Sequence, residues 1–293
     1  MSTPLVEIEN LTVRFRGAQT VHAVNGVSLT LEPGQVLGIL GESGSGKSVT
    51  LKTLLRLLPE SRSDIGGGVR VDGRDVLALN PQDLADYRGA VTSMIFQDPA
   101  LALDPVYTVG QQIAEAIIRH ETISAKAAMA RALELLELVR IPSPERRLKA
   151  YPHEMSGGMR QRAMIALALS CNPTLLLADE PTTALDATVQ IQVLLLIREL
   201  QREFNLGVMR DPQHPYTRGL LAANLHGAKK GERLEAIPGA PPALTEPPSA
   251  CSFAPRCKHA QDRCRAALPP VVQLGEGRVV RCILAELALT AAA

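Results

Sequence analysis

The sequence predicts an α/β fold in which a parallel sheet carries a ligand site at the carboxyl ends of its strands. Two apolar runs, residues 36–40 and 175–178, are typical of strands buried on both faces. A glycine-rich loop follows the first run, and two carboxylates follow the second. Residues 108–170 carry apolar side chains at helical spacing, which predicts a helical subdomain inserted between the two strands.

Two further segments extend this fold towards the amino terminus. Residues 5–16 and 20–32 alternate apolar and polar side chains, so they predict antiparallel strands that precede the first parallel strand. From residue 237 onward proline recurs, which indicates a loop or an extended linker. With 293 residues and 46% hydrophobic content, the chain can bury one substantial core and carry an additional tail.

Composition excludes several classes of protein. The net charge is +1, and no basic stripe is present that would favour a nucleic-acid partner. No run reaches the roughly 18 apolar residues that a membrane-spanning helix needs. The first five residues lack the charged and apolar regions of a signal peptide. We therefore expect a soluble, cytosolic chain that reaches a membrane only through partners.

The glycine-rich loop, here called the phosphate loop, fits the pattern G-x-x-x-x-G-K-[ST] at every position. Its residues are Gly41, Glu42, Ser43, Gly44, Ser45, Gly46, Lys47 and Ser48. Glycines allow the backbone N–H groups to surround a phosphate, and the lysine can place its ammonium on the β- and γ-phosphates. The last hydroxyl can bind Mg²⁺. A chance match is the alternative, but the strand, loop and helix follow in the order that the phosphate site requires.

The second apolar run ends at Asp179 and Glu180, where open α/β sheets bind their ligands. Asp179 is a candidate for the shell of a bound Mg²⁺, and Glu180 is a candidate to orient and polarise an attacking water. Two solvated acids at a strand end are the simpler interpretation. The phosphate loop earlier in the chain argues for the functional one.

Residues 155–162, with the sequence MSGGMRQR, resemble the signature motif of ABC transporter ATPases. The resemblance implies that Gln97 lies in a Q-loop, that residues 183–186 form a D-loop and that Phe15 stacks on adenine. In this family two subunits enclose two ATP molecules, each held by one phosphate loop and the partner's signature. That role would fall to Ser156, Gly157, Gly158 and Met159. An ordinary helix capped by Ser156 is compatible with this role.

The segments 211–221 and 151–154 resemble oligopeptide and dipeptide importer ATPases, and so do the four C-terminal cysteines. The resemblance implies a P-loop NTPase of ABC type with an antiparallel β subdomain, a helical subdomain at about 98–170 and a cysteine-containing tail. Residues 1–210 would form the cassette and residues 211–293 the C-terminal region. It further implies ATP and Mg as ligands and a peripheral position on the cytoplasmic membrane face. The implied partners are two transmembrane permease subunits, a second ATPase subunit and an external solute-binding protein.

Four cysteines fall within 32 residues with the spacing C-x5-C-x6-C-x17-C, namely Cys251, Cys257, Cys264 and Cys282. An iron–sulfur cluster, zinc, disulfides and free thiols all remain open. Disulfides are disfavoured in a cytosolic protein, and the spacings are wider than those of zinc knuckles. Four thiolates suit a [4Fe–4S] cluster, which some members of the importer family bind. Cys171, at the end of an apolar helix, reads as a small core residue.

One expected segment is missing. In the family, a strand after the helix at about 188–203 ends in a histidine that contacts the γ-phosphate, and a further strand and helix follow. Here the chain runs from Asn205 through residues 206–210 into the tail, so the cassette is truncated after 205. The missing strand would lie between the two parallel strands, whose facing edges are then unpaired. The chain is either a deletion product with impaired hydrolysis or a degenerate member of a heterodimer.

The sequence thus predicts the ATP-binding subunit of a membrane importer for di- or oligopeptides. Import of nickel or another small solute is an alternative within the same subfamily, and a non-catalytic degenerate subunit is a second alternative. A soluble ATPase of translation or DNA repair is a third. It is disfavoured because the chain has neither tandem cassettes nor a long coiled-coil insertion.

Overall fold

The computed structural model describes residues 3–99, 102–180, 213–222, 237–243, 245–274 and 279–285. The helices are, in chain order, α1 (Lys47–Leu54), α2 (Pro81–Ala90), α3 (Val109–His120), α4 (Ala125–Leu138), α5 (Pro144–Leu148), α6 (Gly157–Leu169), α7 (Pro215–Ala222) and α8 (Asp262–Ala266). The strands are β1 (Val6–Phe15), β2 (Val21–Leu31), β3 (Ser63–Val71), β4 (Arg74–Asp75), β5 (Thr92–Ile95), β6 (Leu175–Ala178), β7 (Val271–Gln273) and β8 (Val279–Arg281). The expected D-loop at 183–186 and the truncation point after 205 lie outside the described residues.

The predicted antiparallel strands are confirmed. They belong to a four-stranded sheet with the order β2-β1-β3-β4, in which β1 pairs antiparallel with both neighbours. The inward side chains of β1, such as Ile8, Leu11 and Val13, are almost fully buried. They pack with Val69 and Val71 of β3 in one aliphatic core that also receives the end of α1. This sheet therefore supports the helix that follows the phosphate loop.

The predicted helical subdomain is also confirmed. Helices α3 to α6 pack around buried side chains that include Ile113, Ile117, Leu136 and Met164. Thr108 begins α3 with a capping box, in which its hydroxyl accepts from the N–H of Gln111. Such caps satisfy N–H groups that the first helical turn leaves free. The subdomain places α6 beside β5, whose Ile95 lies in the same core.

The prediction of a buried strand at residues 36–40 is wrong. This segment is not in a strand, and its large apolar side chains are exposed by 37 to 50%. The described part of the parallel sheet consists of β5 and β6 alone, with Thr92 opposite Leu175 and Ile95 opposite Ala178. A strand forms only where a neighbour accepts its hydrogen bonds, and the neighbour expected here is the missing one. The apolar sequence is thus present without the ladder that would bury it.

The C-terminal region forms a small unit of its own. A short 3₁₀ turn (Ala254–Arg256), α8 and the hairpin of β7 and β8 surround a small core with Ala254, Cys264 and Ile283. The N–H of Cys251 donates to the carbonyl of Cys264 at 3.0 Å, which joins the start of this unit to α8. Among the described residues, no helix combines the length and the apolar composition that crossing a bilayer requires.

The carboxyl end of α1 is anchored to α2. The Tyr87 hydroxyl donates to the carbonyl of Leu54 at 2.7 Å, and the Arg88 guanidinium donates to the carbonyls of Leu55 and Arg56 at 2.9 and 2.8 Å. These are carbonyls that the last turn of a helix leaves without partners. Tyr87 is fully buried. Its burial raises the pKa of the phenol to about 12.

This burial predicts a loss of stability in alkali. Below pH 10 the phenol is neutral in both states, whereas between about pH 10 and 12 only the unfolded state ionises. The free energy of unfolding should therefore fall across that window, by on the order of 2–3 kcal/mol from this group. Tyr87→Phe should be less stable at pH 8 by about 1 kcal/mol but should decline less in alkali. Urea unfolding at a series of pH values measures both effects. The exposed Tyr107→Phe is the control, and equal alkaline slopes for Tyr87→Phe and the unaltered chain would contradict the account.

Candidate nucleotide site

The phosphate loop has the backbone conformation that its glycines predict. Gly44 and Gly46 adopt positive φ angles of 77° and 89°, which side-chain-bearing residues rarely take. A Cβ atom at Gly46 would also collide with the carbonyl oxygen of Ala23. Gly46 caps α1, so the loop delivers the N-terminus of this helix to the centre of the site. The partial positive charge of that terminus favours an anion.

Lys47 lies over its own loop. Its ammonium donates to the carbonyls of Gly41 and Glu42 at 2.9 Å each and lies 3.8 Å from a carboxylate oxygen of Glu180. The side chain is 17% exposed. A flexible cation in this position can exchange loop carbonyls for the oxygens of a bound phosphate.

The carboxylate pair meets the loop directly. Asp179 is 4% exposed and accepts a hydrogen bond of 2.7 Å from the hydroxyl of Ser48. Its own N–H donates to the carbonyl of Ile95 at 3.0 Å, which fixes it to the end of β5. A hydroxyl and a carboxylate at this distance are the oxygen donors that Mg²⁺ prefers, so the residues fit this ion.

Glu180 completes the group. It takes a positive φ of 44°, and its carboxylate accepts from the amide of Gln97 at 3.1 Å. Its side chain is 39% exposed, so water can reach it. The structure thus brings together Lys47, Ser48, Gln97, Asp179 and Glu180 from three segments, of which the first and last are 131 positions apart. The backbone strain at Glu180 fits a functional position.

The signature segment lies at the start of α6. The Ser156 hydroxyl accepts from the N–H of Met159 at 3.3 Å and so caps the helix, as the sequence predicts. Ser156 and Gly157 are exposed, and a Cβ atom at Gly157 would meet no other atom within 4 Å. This helix start can therefore receive an anion from outside the chain.

Phe15 is not brought to the site. It lies at the end of β1 opposite Val21, half-buried against the antiparallel core, and the cavity beside the phosphate loop is lined by other residues. Its role as an adenine contact stays a prediction.

The C-terminal region reaches the phosphate loop, which the sequence analysis did not foresee. A cavity of about 430 Å³ has residues 41–47 on one side and Tyr216, Phe253 and Arg256 on another. The Tyr216 hydroxyl accepts from the N–H of Glu42 at 3.0 Å, and Arg256 forms an ion pair of 2.8 Å with the Glu42 carboxylate. Tyr216 lies 174 positions and Arg256 lies 214 positions after Glu42, and no sequence motif predicts either contact.

The four C-terminal cysteines line one small cavity, together with Phe253, His214 and His259. Burial raises the pKa of the Cys257 thiol, and the three other cysteines raise it further. The thiols are free, and the described residues contain no group of three or more His, Cys, Asp or Glu placed to hold a metal ion. The four thiols that a metal centre would need therefore line the same cavity, but their sulfur atoms are not arranged as metal ligands.

His214, which lies in the tail, does not line the cavity beside the phosphate loop. His214 belongs to the cysteine cavity, where burial lowers its pKa and its ring accepts from the N–H of Tyr216 at 3.0 Å. Among the described residues, no histidine lines the cavity beside the phosphate loop.

Comparison with known proteins gives the same assignment. A family described as ABC transporter matches residues 24–183, and the oligopeptide/dipeptide transporter C-terminal region matches residues 206–264. The chain is 44% identical to a probable peptide ABC transporter ATP-binding protein of Sinorhizobium fredii, over 95% of this chain and 94% of that one. It is 41% identical to a putative peptide import ATP-binding protein of Brucella abortus, over 96% of this chain and 97% of that one.

The two alignments span 316 and 327 residues, more than the 293 in this chain. Both relatives therefore contain residues that this chain lacks.

A solved structure shares the fold. The ATP-binding cassette MJ0796, a dimer in a post-hydrolysis state bound to ADP and Pi, superposes with a TM-score of 0.61 at 29% identity. The match covers 70% of this chain and 88% of that one. Membership of this family implies that the chain binds ATP and Mg²⁺. The chain belongs to the ABC transporter family, as an ATP-binding subunit with the C-terminal region of the oligopeptide and dipeptide transporters.

Proposed function

We propose that this chain is the ATP-binding, energy-coupling subunit of a membrane importer for di- or oligopeptides. The observation that carries the proposal is the convergence of Lys47, Ser48, Gln97, Asp179 and Glu180 around one phosphate loop. The relatives named as peptide importers support the choice of solute. Import of nickel or another small solute by the same architecture is the alternative.

Each residue of the site has a distinct role in this proposal. Lys47 binds the β- and γ-phosphates, because its ammonium already lies over the loop. Ser48, Asp179 and Gln97 would hold Mg²⁺ through their side-chain oxygen atoms. Glu180 orients the attacking water, which its exposure permits.

The assembly requires partners. The signature, Ser156 to Met159, would contact the ATP of a second ATPase subunit through its exposed start. Two transmembrane permease subunits would bind this pair at the cytoplasmic face of the membrane. An external solute-binding protein would deliver the peptide. The helix start at Gly157 supports this arrangement, because an exposed N-terminus can bind a phosphate of the partner's nucleotide.

We further propose that the chain alone hydrolyses ATP slowly. The segment 36–40 is exposed and unpaired among the described residues, which supports the loss of the strand that would lie between it and β6. This strand would also bring the histidine that contacts the γ-phosphate. The same observation favours a second reading, in which the chain is the degenerate member of a heterodimer.

The C-terminal cysteines are proposed to bind a metal centre as a [4Fe–4S] cluster. The support is that Cys251, Cys257, Cys264 and Cys282 line one cavity, where burial raises the pKa of the Cys257 thiol and the three other cysteines raise it further. Bound iron would neutralise the thiolates and link four separate segments of the region. The side chains would have to move into ligand geometry when the centre forms.

Lys47→Ala should weaken ATP binding at least tenfold, or about 1.4 kcal/mol, since it removes the cation at the phosphates. Titration with a fluorescent ATP analogue measures the affinity. Lys52→Ala, in the same helix, is the matched control and should bind as the unaltered chain does. Equal affinity for all three chains would refute the phosphate-loop assignment.

Inserting the missing strand and its histidine after Asn205, from a related importer subunit, should raise the ATPase rate. One positioned transition-state group commonly accounts for roughly 10²–10³-fold in rate. The same insertion with its histidine replaced by alanine should restore amide protection at residues 36–40 but only part of the rate. If the unaltered chain already turns over as fast as the repaired one, the account of the deletion is wrong.

Protein purified without oxygen should be brown and should contain iron and acid-labile sulfide. Cys257→Ser should lower the iron content, whereas Cys171→Ser should leave it unchanged because Cys171 lies at the end of α6, away from the four. If the protein is colourless and contains stoichiometric zinc, the four cysteines bind zinc rather than an iron–sulfur cluster. Metal-free protein with four titratable thiols in the C-terminal region would rule out a metal site.

A further inference from the structure

The phosphate loop contains an acid. Glu42 is its second residue, and its carboxylate lies at the edge of the cavity that the loop lines. A nucleoside triphosphate is strongly negative, so an uncompensated carboxylate in this position would repel the ligand that the loop exists to bind. The side chain of Glu42 is only 23% exposed, which limits screening by water and salt.

Arg256 compensates this charge from the C-terminal region. Its guanidinium lies 2.8 Å from the Glu42 carboxylate, and the arginine side chain is 9% exposed. The guanidinium carbon lies 5.4 Å from the centre of the Phe253 ring, and the methylene groups pack against Gly239. Both contacts hold the side chain in one conformation, so little entropy is lost when it pairs with Glu42.

Tyr216 fixes the same loop residue through its backbone. Its hydroxyl accepts from the N–H of Glu42, and its ring packs 5.2 Å from that of Phe253. The C-terminal region thus holds the side chain of Glu42 through one residue and its main chain through another. Lys47 and Arg256 both line the cavity.

We propose that Arg256 is a positioning residue of the nucleotide site, which neutralises Glu42 and so keeps the field at the phosphate loop favourable for a nucleoside triphosphate. This inference rests on the proposed function, because it requires ATP to bind at residues 41–48. It gives the C-terminal region a part in nucleotide binding. The effect is electrostatic, so it grows with the charge of the nucleotide and shrinks as salt is added.

The test uses the full chain and compares ATP, ADP and AMP in equilibrium titrations at about 50 and 500 mM salt. Arg256→Ala should weaken ATP binding about tenfold at low salt and less at high salt, with a smaller effect on ADP and the smallest on AMP. Arg256→Lys should retain most of the affinity. Arg265→Ala, which removes an exposed arginine of α8, is the matched control and should change nothing.

The double variant separates charge from packing. Glu42→Gln removes the acid, so Glu42→Gln/Arg256→Ala should bind ATP within about twofold of Glu42→Gln alone, as a coupled pair predicts. If the double variant binds as weakly as Arg256→Ala, the arginine acts through packing and the proposal fails. Tighter ATP binding by Arg256→Ala would also overturn it, because the C-terminal region would then be an inhibitory clamp.

Failure of this inference can be told from failure of the proposed function. ATP binding that depends on Lys47 but is insensitive to Arg256→Ala would reject only the role of Arg256. No ATP binding by the unaltered chain, or binding that Lys47→Ala leaves intact, would reject both. Glu42→Gln supplies an independent reading if Arg256→Ala does not fold, because it should bind ATP at least as tightly as the unaltered chain.

Discussion

The hydrogen bond between Ser48 and Asp179 is the contact on which the geometry of the site depends. In a continuous parallel sheet, backbone ladders would fix the distance between the phosphate loop and the end of β6. Here residues 36–40 have no ladder to any described strand, so side chains must supply the connection. A hydrogen bond to a carboxylate is among the stronger ones that neutral donors form, and burial of Asp179 strengthens it.

The helix that follows the loop is secured from both ends. At its amino end Ser48 binds Asp179, and at its carboxyl end the last carbonyls accept from Tyr87 and Arg88 of α2. Between them, Thr50 and Thr53 are buried, and Leu54 packs into the core of the antiparallel sheet. Helix α1 therefore keeps its place although the segment that leads into the loop is exposed. This explains how the phosphate loop can keep its geometry although the segment before it pairs with no described strand.

Local signals carried most of the sequence prediction. Helical periodicity between 108 and 170, the glycine pattern of the phosphate loop and the Ser156 cap depend on residues close in sequence, and each is confirmed. The prediction of a strand at residues 36–40 is wrong because an apolar run forms a buried strand only if a neighbouring strand pairs with it. The short spacing between residue 205 and the tail pointed to this failure, since it predicts that the expected neighbouring strand is missing.

The contacts of the C-terminal region could not be predicted in this way. Tyr216 and Arg256 meet Glu42 across more than 170 positions, and none of the three belongs to a motif that requires the other two. The four cysteines do line one cavity, but sequence proximity could not place their sulfur atoms, and the metal site stays a prediction. Phe253 lines both the cysteine cavity and the cavity beside the phosphate loop, so the two sites share a wall that only the folded chain reveals.

Binding and hydrolysis place different demands on this architecture. Phosphate binding needs the loop's own backbone, with Gly44 and Gly46 at positive φ and Lys47 above them, and all of this is local. Hydrolysis needs Glu180 in register with the loop, and that register is normally set by the strands between them. Here it depends on side-chain contacts, including the 3.8 Å separation of Lys47 and Glu180. Since reacting groups lose efficiency steeply when displaced by about 1 Å, we expect loss of the strand proposed above to impair catalysis far more than it impairs binding.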